Sequence, residues 1–293
     1  MDDRTALLVL LRQRLTSLIE AMPAAQAGDT RSVHQARVAT RRLREALPVI
    51  GSVSTRSLGR VRRQVRRMTR ALGPVRELDV ALKHLEELSA KKIVSARALA
   101  RVRQSLAGER SKRRREMLAE ITPGRVEKLR QRLGKVGHES EAPHSAAALA
   151  QAEQQAARRA RRLVTAIERA GGLYLPDRLH LVRIAAKKLR YALEIERELK
   201  RSRVTARITQ LKRLQDLLGE MHDFEILIDR TRGLQADVAA SDRHLAVELD
   251  RLVRALEAEC RQRHAIYMRR RGSILRLCAL VTASEPGGST AVA

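Results

Sequence analysis

Hydrophobic residues recur along much of the chain in alternating steps of three and four, the period of an α-helix with one buried face. The segment 33–50 shows it clearly: Val33, Ala36, Thr40, Leu43, Leu47 and Ile50 fall on one seam. Seven prolines, at positions 23, 48, 74, 123, 143, 176 and 286, punctuate the pattern. Helices tolerate proline at their ends and first turns, so the prolines mark boundaries. The pattern predicts helices near 4–22, 31–50, 55–72, 75–90, 93–121 and 123–135, then near 147–170, 177–200, 203–218, 221–238 and 242–282. Gly73 and Gly219 fall where one helix is expected to stop and the next to begin, a position that favours glycine. The stretch GHESEAPHSA, 137–146, reads as a linker, and the segment 284–293 reads as a disordered tail.

A repeat underlies the pattern. VHQARVATRRLREAL (33–47) aligns with LHLVRIAAKKLRYAL (179–193), an offset of 146 residues. His34, Arg37, Ala39, Leu43, Arg44, Ala46 and Leu47 recur as His180, Arg183, Ala185, Leu189, Arg190, Ala192 and Leu193, while Arg41 and Arg42 become Lys187 and Lys188. At the same offset QVRRMTRALGPVRELDV (64–80) aligns with QLKRLQDLLGEMHDFEI (210–226). Two blocks in one register are hard to obtain by chance. The expected organisation is therefore a first helical-bundle repeat at 1–136, a linker at 137–146 and a second repeat at 147–283, related by a pseudo-twofold. Each copy has about four helices, the minimum for a bundle with its own core.

Composition agrees with an all-α fold. In 293 residues there are three Tyr, one Phe and no Trp, too few for the aromatic-rich packing of most β-proteins. Ala, Leu, Val, Arg and Glu dominate instead, and most of these form helices well. The charge is more telling: 60 Lys and Arg against 33 Asp and Glu give +27, and 50 of the 60 are Arg. Arginine's rigid fork matches phosphate oxygens two at a time, so the skew suits a polyanionic partner; a GC-rich genome gives the same skew. The longest apolar run, ALLVLL at 6–11, is far short of the ~20 residues that span a bilayer. Two cysteines, Cys260 and Cys278, form no metal pattern and suit a reducing compartment. A soluble, cytoplasmic protein is expected.

The charge is organised. His34, Arg37, Arg41 and Arg44 each follow a seam residue by one position, forming a second stripe ~100° round the helix. His180, Arg183, Lys187 and Arg190 repeat it beside Leu179, Val182, Ala186, Leu189 and Leu193. A basic helix face is ordinarily just solvated, but like charges three and four apart repel, and no carboxylate interrupts either stripe. The stripe also recurs intact while neighbours diverge, as Gln35 to Leu181 and Glu45 to Tyr191. A ligand-binding role accounts for both facts. The two histidines admit either an anion contact or a hydrogen bond across the pseudo-twofold. Arg42, Arg66, Arg67, Lys188, Lys212 and Arg213, basic in both copies, are secondary candidates.

Catalysis finds little support. The chain has no Walker A, GxGxxG or GxSxG motif, and no histidine has another three or four residues on, so neither a cofactor nor a metal is expected. DNA, RNA, anionic lipid and inorganic polyphosphate all suit an Arg-rich surface. Four aromatics leave little for base stacking, and long core-packed helices with Arg and Lys on the relevant face are unlike a recognition helix. What remains is a partner whose phosphates are read and which need not carry bases.

These segments, with LGPVRELDV and LQDLLGEMHDFEI, resemble the CHAD family of conserved histidine α-helical domains over roughly residues 4–282. The resemblance implies two four-helix bundles about a basic central groove that binds inorganic polyphosphate without catalysis, in the cytoplasm at polyphosphate granules. It assigns the ligand role to His34, Arg37, Arg41, Arg44, His180, Arg183, Lys187 and Arg190. Nucleic acid would be a weaker polyanion competitor, and a nucleoid-type nucleic-acid-binding protein is the rival reading. After the Leu-Gly pair the family tends to show Arg-Asp, where this chain has Arg76-Glu77 and His222-Asp223; those positions are left out of the expected ligand set. Many relatives also carry a triphosphatase domain with an ExExK strand, and no such segment occurs here.

Overall fold

The computed structural model describes residues 3–50, 56–90, 94–139, 145–200 and 204–283. Among them are nine helices and no strand: α1 (Asp3–Ala27), α2 (Thr30–Ile50), α3 (Arg56–Ala90), α4 (Ala96–Glu120), α5 (Pro123–Glu139), α6 (Ser145–Ala170), α7 (Pro176–Lys200), α8 (Thr205–Val238) and α9 (Arg243–Ala283).

The helix ends follow ordinary capping chemistry. Gly28 takes φ +101° just past α1, and the Gly28 and Asp29 amides return to the Ala25 and Ala24 carbonyls at 3.1 and 3.0 Å, a Schellman closure. Asp29 then caps α2, its carboxylate accepting from the Ser32 amide at 2.7 Å. Gly171, at φ +65°, follows the end of α6 with its amide donating to the Glu168 carbonyl at 3.1 Å, and Pro176 opens α7 as its first residue. Both stripe-bearing helices thus begin after a left-handed glycine turn.

Two expected breaks are absent. Helix α3 runs unbroken through Gly73-Pro74, and α8 runs through Gly219. Neither glycine has the left-handed φ of a C-cap. Glycine costs a helix about 1 kcal/mol and proline about 3. The buried residues around the first site, Leu72, Val75 and Leu78, each return about 1.5–3 kcal/mol by continuing the apolar seam. Burial wins over local propensity. Pro23 likewise lies inside α1 and does not end it.

The linker expected at 137–146 is narrower than the sequence suggests, since α5 extends to Glu139 and α6 starts at Ser145. The tail at 284–293 lies outside the described residues.

The seams are buried as expected. Val33, Ala36, Thr40, Leu43 and Leu47 are fully enclosed, as are Val182, Ala186, Leu189 and Leu193. Three apolar clusters result. One gathers α1, α2, the first half of α3, the end of α4 and α5, around Leu18, Leu43, Leu47 and Ile121. A second gathers α6, α7, the first half of α8 and the end of α9, around Leu163, Leu189, Leu218 and Tyr267. The third is shared by both halves of the chain: Leu78 and Leu85 of α3 and Leu106 of α4 pack with Leu227 of α8 and Leu252 of α9. Through it α3 crosses α8, while α2 packs on α7. The two stripe helices are therefore neighbours.

Candidate functional site

A residue one step beyond a buried seam turns toward the adjoining helix, so the stripes of α2 and α7 sit half-buried beside α3 and α8. The glycines explain how long side chains fit there. A methyl group at residue 73 would lie 3.9 Å from Arg37 Nη2, and one at 219 would lie 3.7 Å from Arg183 Nε. Each guanidinium thus lies across a helix stretch that has no side chain. The Arg37–Gly73 and Arg183–Gly219 pairs stand at the same 146-residue offset as the sequence repeat. Neither glycine ends a helix, and a Cβ at either would meet its guanidinium at ordinary van der Waals distance, so what the glycines leave out there is a longer side chain.

The middles of the two stripes carry unpaired charge. Arg37, Arg41, Arg183 and Lys187 make no ion pair among the described residues, and Arg37 Nε and Arg183 Nε are buried without a hydrogen-bond partner. Burial, then the charges of Arg41 and Arg183, pull Arg37 down to about 9. Lys187 falls further, to about 6, through burial and then Arg183, Arg41 and Arg37. Arg183 is lowered by burial and by Arg41. Cations of α2 therefore press on cations of α7. Uncompensated buried charge costs several kcal/mol, so this cluster is held in place by the cores on either side.

The histidines close the arrangement. His180 meets His222 of α8, Nδ1 to Nδ1 at 3.2 Å with ring centroids 4.2 Å apart. Burial and then Arg183 push His180 down, and burial, Arg183 and His180 push His222 down to about 4. His34 is the exposed end of its stripe; partial loss of solvent around the ring, then the charges of Arg76, Arg37 and Arg41, lower it. Arg76 and His222, left out of the ligand set expected from sequence, stand beside the histidines that open the two stripes. Their signal was present: both lie three residues past the recurring Leu-Gly pair.

The stripe ends differ from their middles. Arg190 Nη1 pairs with Glu194 at 2.6 Å, Nε donates to Gln215 at 2.9 Å, and the guanidinium lies over the Tyr191 ring. Arg44 lies 3.8 Å from buried Glu45, which also takes Arg159 of α6 at 3.2 Å. Among the secondary candidates, Arg42 reaches Glu194 at 3.4 Å, and Arg67 pairs with Glu120 of α4 at 2.9 Å. Arg66, Lys212 and Arg213 are exposed; half-buried Lys188 is lowered by burial and by Arg159. The structure thus gathers Arg37, Arg41, Arg183 and Lys187 as free cations and ties Arg42, Arg67 and Arg190 to carboxylates.

Little else offers chemistry. Among the described residues no group of three or more His, Cys, Asp or Glu is placed to hold a metal, and no helix is long and apolar enough to cross a membrane. Cys260 and Cys278 are buried and free, their thiols pushed up to about 12 by burial. Tyr191, Phe224 and Tyr267 are buried, so three of the four aromatic rings are unavailable to stack on a base.

The sequence matches the CHAD domain family over residues 9–232. Among solved structures, the CHAD domain from the plant Ricinus communis superposes with a TM-score of 0.63 at 20% identity, covering 97% of this chain and 92% of that one. PptA from Streptomyces chartreusis superposes with a TM-score of 0.62 at 16% identity, covering 96% of this chain and 100% of that one. Among curated proteins there is no significant match. At these identities the superpositions speak for the fold, and the family match speaks for descent: the chain belongs to the CHAD domain family.

Proposed function

We propose that the protein binds inorganic polyphosphate, without catalysing its turnover, in a basic groove between the two sequence repeats. One observation carries the reading: three guanidinium cations and the Lys187 amine, from α2 and α7, are half-buried together with no carboxylate partner. A folded chain keeps such an arrangement where an anion repays its cost, and Arg37 and Arg183 each lie beside a helix glycine that sends no side chain toward the guanidinium. The cations are strung along two helices, which suits a linear polyanion better than a single compact phosphate ester. Scarcity of accessible aromatic rings favours a bare phosphate chain over single-stranded nucleic acid. Targeting to polyphosphate granules follows as the cellular role.

Arg37, Arg41, Arg183 and Lys187 are the primary contacts in this reading, with His34 and His180 at the margins. Arg44 and Arg190 serve first to anchor the buried carboxylates Glu45 and Glu194. Competition at physiological salt tests the proposal: labelled polyphosphate should stay bound against duplex DNA at equal phosphate concentration. Displacement by DNA would turn the site into a general polyanion surface of the nucleoid type.

A further inference from the structure

The two repeats differ at one corner of the site. Position 34 corresponds to 180 and position 76 to 222, so the His34 corner has Arg76 where the His180 corner has His222. Near neutral pH an arginine keeps its charge, whereas a histidine can be neutral. We propose that His180 and His222 form a proton-loaded corner of the anion site, taking up a proton as polyphosphate binds, while the His34–Arg76 corner is permanently charged. The inference rests on the polyphosphate reading of the same site.

The geometry of the pair carries the argument. With the two Nδ1 atoms facing at 3.2 Å, only one proton fits between them, so one ring donates and the other must present a lone pair. The pair as it stands can hold at most one imidazolium. Around it lie Arg183, Lys187 and Asp177 of α7, Asp223 of α8 and Arg41 of α2. Burial leads, and the Arg183 and Arg41 guanidiniums add to it against Asp177 and Asp223, so both rings are driven toward neutrality in the free protein. A phosphate chain reverses the balance by bringing negative charge against the surrounding cations. It also gives each ring an oxygen to donate to, so the rings no longer have to share one hydrogen. Proton uptake follows, and affinity rises as pH falls.

Asp223 sharpens the effect. Its Oδ2 lies 3.9 Å from His84 Nε2 of α3, so it is drawn partly away from the imidazole pair. Lys187 faces the same corner and titrates too, and the experiment has to separate the two.

The test uses the full chain with ¹⁵N-labelled histidine and long-chain inorganic polyphosphate as the probe. Imidazole signals are followed through a pH titration, free and saturated. The expected result is that at least one of His180 and His222 titrates about one pH unit or more higher when polyphosphate is bound. Calorimetry in two buffers of different ionisation heat should show net proton uptake, with affinity falling by up to about tenfold per pH unit for each proton taken up. His222→Arg, which copies the first repeat, should lose the imidazole share of that uptake in the complex it forms, whatever its affinity. Lys187→Arg should retain it. Binding with unchanged histidine titration, or uptake that vanishes in Lys187→Arg and survives in His222→Arg, would overturn the inference and leave the polyphosphate reading standing. No binding at any pH would overturn both.

Discussion

Arg230 of α8 reaches Glu77 of α3, Nη2 to Oε1 at 3.5 Å, and the residues 146 positions away from each repeat the relation in reverse. His84 of α3 faces Asp223 of α8, Nε2 to Oδ2 at 3.9 Å. Residues that correspond in the sequence repeat thus exchange partners across the α3–α8 contact. The contact also bears on the site. Glu77 and Asp223 are the carboxylates whose charge acts on Arg37 and Arg183, and both are engaged by the α3–α8 crossing instead. This leaves the stripe cations free for a ligand.

The asymmetry of that crossing predicts a pH effect on stability. Burial works against the charged form of His84, yet the Asp223 carboxylate at 3.9 Å and the hydrogen bond to Glu87 at 3.0 Å raise it above its ordinary value. A histidine raised in the folded state stabilises fully below its unfolded value of about 6.5, and the contribution fades as pH rises through the higher folded value. Denaturant midpoints of the native protein and of His84→Gln, compared across this range, should differ most at acid pH and converge above neutrality. A constant difference would mean that His84 acts by packing on Phe224 alone.

Removing a stripe cation should cost binding and not stability. Arg37→Met and Arg183→Met delete a buried charge that has no partner, and Lys187→Met deletes a buried amine that gives up its proton on folding, so each should raise stability by about 1–3 kcal/mol near neutral pH. Each should weaken polyphosphate binding by tenfold or more. For Lys187 the sign follows from its depressed value: between pH about 6 and its unfolded value of about 10.4 the unfolded chain binds the extra proton. The native protein should therefore gain stability relative to Lys187→Met as pH rises through that range. By contrast Leu43→Glu or Leu189→Glu buries an unpaired carboxylate in a seam and should unfold its half of the chain. Thermal melts and titrations on the same samples check this, and a falling Tm in the Met variants would make the stripe structural.

The glycines allow a graded test. At Gly73 or Gly219 alanine meets its guanidinium at ordinary contact distance, so both alanine variants should bind normally; Gly219→Ala should gain up to about 1 kcal/mol of helix stability, whereas at Gly73 the following Pro74 crowds a new Cβ and offsets the gain. Leucine would occupy the guanidinium's place. Gly73→Leu and Gly219→Leu should keep full helicity by circular dichroism and lose about tenfold or more in affinity. Equal affinity for the alanine and leucine variants would show that neither arginine needs its berth.

The seams and stripes were legible because helical periodicity depends on local spacing, and the repeat showed which basic positions recur. The continuity of α3 was not legible. Leu-Gly-Pro reads locally as a helix end, and only packing of Leu72, Val75 and Leu78 against partners distant in sequence overrides it. The ion pairs were also hidden: nothing near Arg190 in sequence announces Gln215, and nothing near Arg42 announces Glu194. His222 and Arg76 could have been found, since each lies three residues past a recurring glycine. Their divergence between repeats masked them, although that divergence is what distinguishes the two corners of the site.

The central claim is that cations of both repeats serve one ligand. Calorimetric titration with polyphosphates of defined length, from tripolyphosphate upward, tests it most directly. A chain that reaches both stripes gains its second contact intramolecularly, so affinity should climb steeply with length and then level off. Neutralising either Arg41 or Arg183 should remove most of that climb, and neutralising both should add little. A flat length profile with two weak, equivalent sites per protein would contradict the account.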